Sequence, residues 1–236
     1  MNNFALQGVQ LTKQYGGFHV LHGINFSVPK GEIRGLIGPN GAGKSTLVDV
    51  LSGRTANYQG SVFLDGKEIN GCSAQERRKL GLARSFQRTS IFHSRTVEDQ
   101  LELASRWETE SNVDEVMGHL DLVSYRDEVA AELSYGVQRR LDLALALIGK
   151  PQVLLLDEPA AGLTMQESIS MAQLLRDLVK RWKITVLLIE HDMDVVFTVC
   201  DQITVLNLGQ ILIEGSVEVV RSSPLVISAY LGRNAE

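Results

Sequence analysis

The sequence is short of several things, and each shortage excludes a class of protein. It has two cysteines, Cys72 and Cys200, far apart and without C-x-x-C spacing. A disulfide framework and a zinc site are therefore not expected, and a cytosolic compartment is the default. No apolar run approaches the roughly 18 residues that cross a bilayer. Met1–Gly8 shows no basic start followed by an apolar stretch, so no secretory signal is expected. There is no internal repeat and no Gly-, Pro- or Ser-rich linker. There is no excess of positive charge either: 23 Lys and Arg stand against 28 Asp and Glu, a formal net charge of −5. That balance disfavours general affinity for nucleic acid phosphates. What remains is 236 residues with 44% apolar and 22% charged content, enough for one folded domain with a subdomain.

The elements follow from local patterns. Phe4–Leu11, Asn25–Val28 and Ile33–Ile37 read as strands, the last two separated by a Pro29-Lys30-Gly31 turn. Ser61–Leu64 and Lys67–Ile69 flank Asp65-Gly66, whose readiness for positive φ predicts a hairpin. Val153–Leu156 and Ile184–Ile189 are uninterrupted apolar runs, the mark of strands buried on both faces of a parallel sheet. Between them Ile169, Ala172, Leu175, Leu178 and Val179 give Gln166–Trp182 a helical spacing, so a right-handed βαβ crossover is expected. Ile203–Leu206 and Gln210–Ile213 form a second hairpin around Asn207-Leu208-Gly209.

Charge separates the middle of the chain. Gln75–Arg95 carries Arg77, Arg78, Lys79, Arg84, Arg88 and Arg95 against Glu76 alone. Thr96–Glu132 is acidic, with helical apolar spacing at Val97, Leu101, Ala104, Val113, Val116 and Leu120. It reads as a small helical insertion whose acidic residues face solvent.

Two motifs carry chemistry. Gly38-Pro39-Asn40-Gly41-Ala42-Gly43-Lys44-Ser45 matches G-x-x-x-x-G-K-[ST], after an apolar strand and before the helical pattern Leu47, Val48, Val50, Leu51. Its glycines let successive N–H groups point at a β-phosphate. Lys44 suits the β- and γ-phosphates, the Ser45 hydroxyl suits Mg²⁺, and Thr46 lies close to the α-phosphate. The second motif is Val153-Leu154-Leu155-Leu156-Asp157-Glu158-Pro159. A buried strand ends there in two carboxylates, one for the metal (Asp157) and one to orient or deprotonate an attacking water (Glu158).

A third element makes the whole specific. Leu133-Ser134-Tyr135-Gly136-Val137, followed by Gln138-Arg139-Arg140, resembles the signature of ABC transporter ATP-binding subunits. The resemblance covers essentially the whole chain. It implies an α/β fold: a P-loop NTPase (RecA-like) core at about 1–88 and 150–236, with an antiparallel β subdomain and an inserted α-helical subdomain at about 89–149. It implies ATP and Mg²⁺ as cofactors. Ser134, Tyr135 and Gly136 would complete the ATP site of a second ABC ATPase subunit, head to tail, although Ser134 also reads as a plain N-cap. Tyr15 resembles the aromatic that stacks on adenine; a Tyr in a β-rich N-terminus is otherwise core. Gln87 resembles the glutamine that senses Mg²⁺ and γ-phosphate, and His191, after the second buried run, resembles the switch histidine.

The resemblance extends to a subfamily. Ser134-Tyr135-Gly136 with Arg139-Arg140, the Ala160-Ala161-Gly162-Leu163 loop, Arg84-Ser85-Phe86-Gln87-Arg88 and the ending Ala229-Tyr230-Leu231-Gly232 are similar to importers of branched-chain amino acids, with urea or short-amide importers as relatives. This implies a sister or identical ATPase subunit, transmembrane permease subunits and, indirectly, a solute-binding protein as partners. Nucleic acid is not among them. The location implied is the cytoplasmic face of the inner membrane, peripheral through the permease. The basic stretch around Arg84 suits either a permease and lipid-headgroup contact or a solvated loop. A soluble ABC ATPase of DNA or ribosomes would need long coiled coils or tandem units, which are missing. Val137 stands where the signature usually has Gln, and Thr164 where the family usually has Asp. Both departures imply an asymmetric pair and weak ATPase activity of this chain alone.

Overall fold

The computed structural model describes residues 3–85, 87, 89–108 and 111–231. Phe86, Arg88, Glu110 and Gly232, which figure in the motifs and charge runs above, lie outside the described residues.

Two sheets organise the chain. Strands β1 (Phe4–Tyr15) and β2 (Phe18–Pro29) form a long hairpin. Strand β3 (Ile33–Ile37) leads into helix α1 (Lys44–Leu51), and then β4 (Tyr58–Leu64) and β5 (Lys67–Glu68) make the expected hairpin. At its tip Asp65 and Gly66 have φ of 50° and 79°, the pair of positive values that a type I′ turn requires. The four strands build one antiparallel sheet in the order β2-β1-β4-β5. Helix α2 (Ala74–Lys79), strand β6 (Leu82–Arg84), helices α3 (Val97–Ser105) and α4 (Val113–His119), two single turns of 3₁₀ helix and helix α5 (Tyr135–Leu147) follow. The rest is β7 (Val153–Asp157), α6 (Met165–Trp182), β8 (Thr185–Ile189), α7 (Met193–Val199), β9 (Gln202–Asn207), β10 (Gln210–Gly215), α8 (Val217–Arg221) and α9 (Pro224–Leu231).

The second sheet has six strands in the order β10-β9-β3-β8-β7-β6. All its pairs are parallel except β9 with β10, which closes through Leu208 and Gly209 at φ 46° and 73°. The apolar runs are continuous because both faces are covered. Leu154, Leu156, Val186 and Leu188 belong to one core cluster, shared with the helices, while Val153, Leu155, Leu187 and Ile189 belong to the other, shared with α1 and the antiparallel sheet. The helices α3, α4 and α5 pack into the first cluster through Val97, Leu101, Val113, Val116 and Leu141.

Three expectations need correction. Helix α6 forms, but Ile169 is exposed, and the buried stripe runs through Ser168, Met171, Ala172, Leu175, Leu178 and Val179. The β1–β2 hairpin is longer than its apolar spacing shows, because β-bulges interrupt its alternation. Above all, several basic side chains of the middle segment turn inward rather than to solvent, although Lys79 and Arg95 are exposed. Arg77 is 1% exposed and donates to the carbonyls of Val50, Leu51 and Cys72. Arg78 bonds the Ile148 carbonyl, and the Arg84 side chain lies between acidic residues of the core. The acidic stretch behaves as expected: none of its described acidic residues is buried.

Candidate ATP site

Parallel strands put their C-terminal ends on one edge of a sheet, and ligands bind there. In this sheet β3, β8, β7 and β6 are consecutive neighbours. The phosphate loop, His191, Glu158 and Gln87 follow those four strands, so the topology delivers all of them to one edge.

The phosphate loop is made locally. Gly38, Gly41 and Gly43 have φ of 151°, 77° and 102°. A Cβ at Gly38 would sit 2.0 Å from the Leu206 carbonyl oxygen, so glycine is required there by backbone proximity as well as by φ. Ala42 N–H donates to the Pro39 carbonyl at 3.1 Å, closing the turn. Helix α1 begins at Lys44 with Gly43 as N-cap and no side-chain cap, which leaves its first N–H groups for an anion. Asn40, Gly41 and Ser45 are exposed, Pro39, Gly43 and Thr46 half-buried, and Ala42 buried. Lys44 Nζ is 7% exposed as a residue and donates to the carbonyls of Gly38 (2.6 Å) and Pro39 (3.2 Å). Burial pushes its pKa down, while the nearby charges of Glu158 and Asp157 push it up. Lysine and carboxylates therefore share one electrostatic environment.

The loop after β7 is made from afar. Asp157 is 8% exposed, and burial raises its pKa against the opposing charge of Arg84. Arg84 Nη2 lies 3.2 Å from Asp157 Oδ2, while Nη1 reaches Asp49 Oδ1 at 2.5 Å and Ser52 Oγ at 3.1 Å. Glu158 stands at φ 52°, a strained value for a residue with a side chain. Its carboxylate is gripped on both sides. Gln87 Nε2 donates to Oε2 at 2.8 Å, and His191 Nε2 lies 2.9 Å from Oε1. Among the described residues the Gln87 amide oxygen accepts no hydrogen bond.

Two buried side chains brace the loop that carries Glu158, and spacing in the sequence did not single out either of them for this. Arg139, on α5, donates to the carbonyls of Glu158, Pro159 (3.1 Å) and Gln87 (3.0 Å). Glu190, 4% exposed, accepts from Ala160 N–H (2.8 Å) and His191 N–H (3.1 Å). Burial raises its pKa, against the bonds it accepts from the backbone. The available signal for Arg139 was a charge inside a helix whose neighbours, Val137 and Leu141–Ile148, are almost all apolar.

The other expected residues are Tyr15, the signature and Thr164. Tyr15 ends β1, 48% exposed, with Lys13 Nζ 4.7 Å from its ring centroid. It is not core, and its open face is free to stack. Ser134 occupies the N-cap position of α5 but makes no side-chain cap bond, so its exposed hydroxyl is not spent on that helix end. Gly136 is half-buried, and a Cβ there would lie 2.6 Å from Glu167 Oε1. Tyr135 donates its hydroxyl to the Ala161 carbonyl at 3.1 Å. Val137 is 4% exposed in the larger apolar cluster. Thr164 caps α6 in a reciprocal box with Glu167, a local reason for its presence that Asp would also satisfy.

Known proteins share this architecture. Residues 21–161 match the family model described as ABC transporter. The chain is similar to the high-affinity branched-chain amino acid transport ATP-binding protein BraF of Pseudomonas aeruginosa, at 35% identity over 98% of this chain and 99% of that one. It is 33% identical to LivG of Escherichia coli K12, a protein of the same description, over 94% and 95% of the two chains. Among solved structures, the ADP conformation of MJ1267, an ATP-binding cassette of an ABC transporter, superposes with a TM-score of 0.87 at 30% identity over 97% of this chain and 99% of that one. With the phosphate loop, the paired carboxylates and the signature all in place, the chain belongs to the ABC transporter family and is an ATP-binding subunit with ATPase activity.

Proposed function

We propose that this chain is the ATP-hydrolysing subunit of a membrane importer for branched-chain amino acids, working as one half of a head-to-tail pair of ATPase subunits. The observation that carries the hydrolytic part is the Glu158 carboxylate held between Gln87 and His191, on the sheet edge that also bears Lys44. The solute follows from BraF and LivG, whose names specify branched-chain amino acid transport. No helix among the described residues is long and apolar enough to cross a membrane. The transport path would belong to permease subunits, which would hold this chain at the cytoplasmic face and receive solute from a binding protein.

The residues divide the chemistry. The Gly38–Gly43 backbone and Lys44 bind the β- and γ-phosphates, Thr46 the α-phosphate, and Tyr15 the adenine. The Ser45 hydroxyl, the Gln87 amide oxygen and the Asp157 carboxylate are hard oxygen donors that fit Mg²⁺, which is commonly held by one or two carboxylates plus substrate phosphates. When bound, Mg²⁺ neutralises charge developing on the transferred phosphoryl group. Glu158 accepts a proton from water as the water oxygen attacks the γ-phosphorus, and the bond to the ADP oxygen breaks. His191 orients Glu158 and reaches for the γ-phosphate. Ser134, Tyr135 and Gly136 face a partner's nucleotide, and the helical segment at about 89–149 carries them.

Glu158→Gln tests the assignment, since it keeps the hydrogen bonds' shape and removes the base. Hydrolysis should fall about 10²- to 10⁴-fold, the usual worth of a positioned base. ATP affinity should change less than threefold, and the ATP-bound pair should persist longer by size-exclusion chromatography. Unchanged turnover would remove Glu158 from the mechanism.

A further inference from the structure

Glu158 has a backbone conformation that must be imposed. At φ 52° it is held by four sets of bonds: its own N–H to the Ile189 carbonyl at 2.9 Å, the Ala161 N–H to its carbonyl at 3.1 Å, the Ala160 N–H to Glu190, and the carbonyls of Glu158 and Pro159 to one guanidinium. That guanidinium is Arg139, 3% exposed. Its remaining arm donates to the carbonyl of Gln87, the residue whose side chain grips the Glu158 carboxylate from the other end. A single planar group thus fixes both members of the Gln87–Glu158 hydrogen bond through their main chains.

The anchor continues one turn along α5. Asp142, 6% exposed, accepts from Ser90 N–H at 2.8 Å and from the Ser85 side chain, and it feels the Arg139 charge. So α5 holds the segment around Gln87 at both ends and the Glu158 loop in between. The guanidinium suits this task because its donors lie in a rigid fork and stay charged, whereas a lysine ammonium is a single point on a flexible stem. Arg139 Cζ also lies 6.0 Å from the centroid of the Tyr135 ring, at the start of the same helix.

We infer that Arg139 is a positioning residue for ATP hydrolysis: by holding the carbonyls of Gln87, Glu158 and Pro159, it sets the Glu158 carboxylate where it can take a proton from the attacking water. The inference rests on Glu158 being the base. Arg139 touches no substrate, and its effect passes entirely through Gln87 and Glu158.

The test uses the full chain with its partner subunits and four variants: Arg139→Gln, Arg139→Lys, Glu158→Gln, and Arg139→Gln combined with Glu158→Gln. Expected is a fall in kcat of at least tenfold for Arg139→Gln, with the Kd for a non-hydrolysable ATP analogue within threefold of the parent. Arg139→Lys keeps the charge, loses the fork and should not restore kcat. In single-turnover assays the double variant should hydrolyse within twofold of Glu158→Gln alone, because a positioner has nothing to position once the base is gone. A general structural role would lower the double variant further and weaken analogue binding, and either result overturns the inference. So does an Arg139→Gln kcat within twofold of the parent while Glu158→Gln is slow. If Glu158→Gln itself turns over normally, the assignment of the base falls instead, and the two failures are distinct.

Discussion

The phosphate loop and the Glu158 loop leave one sheet edge with β8 between their strands, yet they are built in opposite ways. The first closes on itself. Its turn bond, its lysine contacts and its helix start all lie within Gly38–Leu47, and its long-range constraints are few: the close approach of the Leu206 carbonyl to Gly38, the Gly209 N–H donated to the Ala42 carbonyl at 3.0 Å, and Tyr230 at the Gly38 backbone. The second depends on residues from four separate stretches: Arg84 and Gln87, Arg139, Ile189 to His191, and its own Asp157 and Glu158. Glycine makes the first conformation inexpensive. In the second, a residue with a side chain stands at positive φ, and buried hydrogen bonds offset the strain, of order 1–3 kcal/mol. A mostly local loop needs few distant elements to take its shape. An assembled loop acquires its geometry only when the distant elements are packed, which ties hydrolysis to the state of the whole domain.

Substitutions can break or sharpen that contrast. The largest effect in the phosphate loop should come from Lys44→Ala. Losing hydrogen bonds from a cation to phosphate costs about 1.5–3 kcal/mol each, so ATP affinity by calorimetry should fall about tenfold to several hundredfold while the thermal transition barely moves. A large loss of stability instead would show that this lysine holds the fold. Next comes Gly38→Ala, which forces a Cβ against the Leu206 carbonyl; Tm should drop by roughly 4–8 °C, equivalent to about 2 kcal/mol for a chain of this size. Gly41→Ala is its control. That Cβ would meet nothing within 4 Å, so only the left-handed penalty of about 1 kcal/mol applies, and its Tm should fall about half as far. Equal shifts would mean that φ alone, without the carbonyl contact, makes glycine necessary. The smallest effect should be that of Thr164→Ala, which removes the α6 cap for about 1 kcal/mol and leaves the analogue Kd unchanged. A change in nucleotide affinity there would give Thr164 more than a capping role.

The legibility of the molecule follows the same division. Asp65-Gly66 and Leu208-Gly209 announce their hairpins because turn chemistry is local. Val153–Leu156 and Ile184–Ile189 announce buried strands because cover on both faces leaves no polar position. The basic stretch around Arg84 reads as a loop contact or a solvated loop because charge normally seeks water, and nothing within it shows that Asp49 and Asp157 stand ready to receive the Arg84 side chain. Ile169 reads as core because its spacing fits, though the helix turns it outward. Arg139 is legible only as part of the signature, and the anchoring roles of Arg139 and Glu190 are not, because their partners are backbone atoms of other segments.

By itself, then, the sequence determined the parts whose physics is local: the glycine-built phosphate loop, the apolar strands, the tight hairpin turns and the residue types able to bind phosphate, metal and water. Only the tertiary structure decided that Gln87, Glu158 and His191 meet at one carboxylate and that Arg139 and Glu190 hold it there. The reason is that parallel strand order and buried long-range hydrogen bonds, rather than spacing along the chain, set those distances.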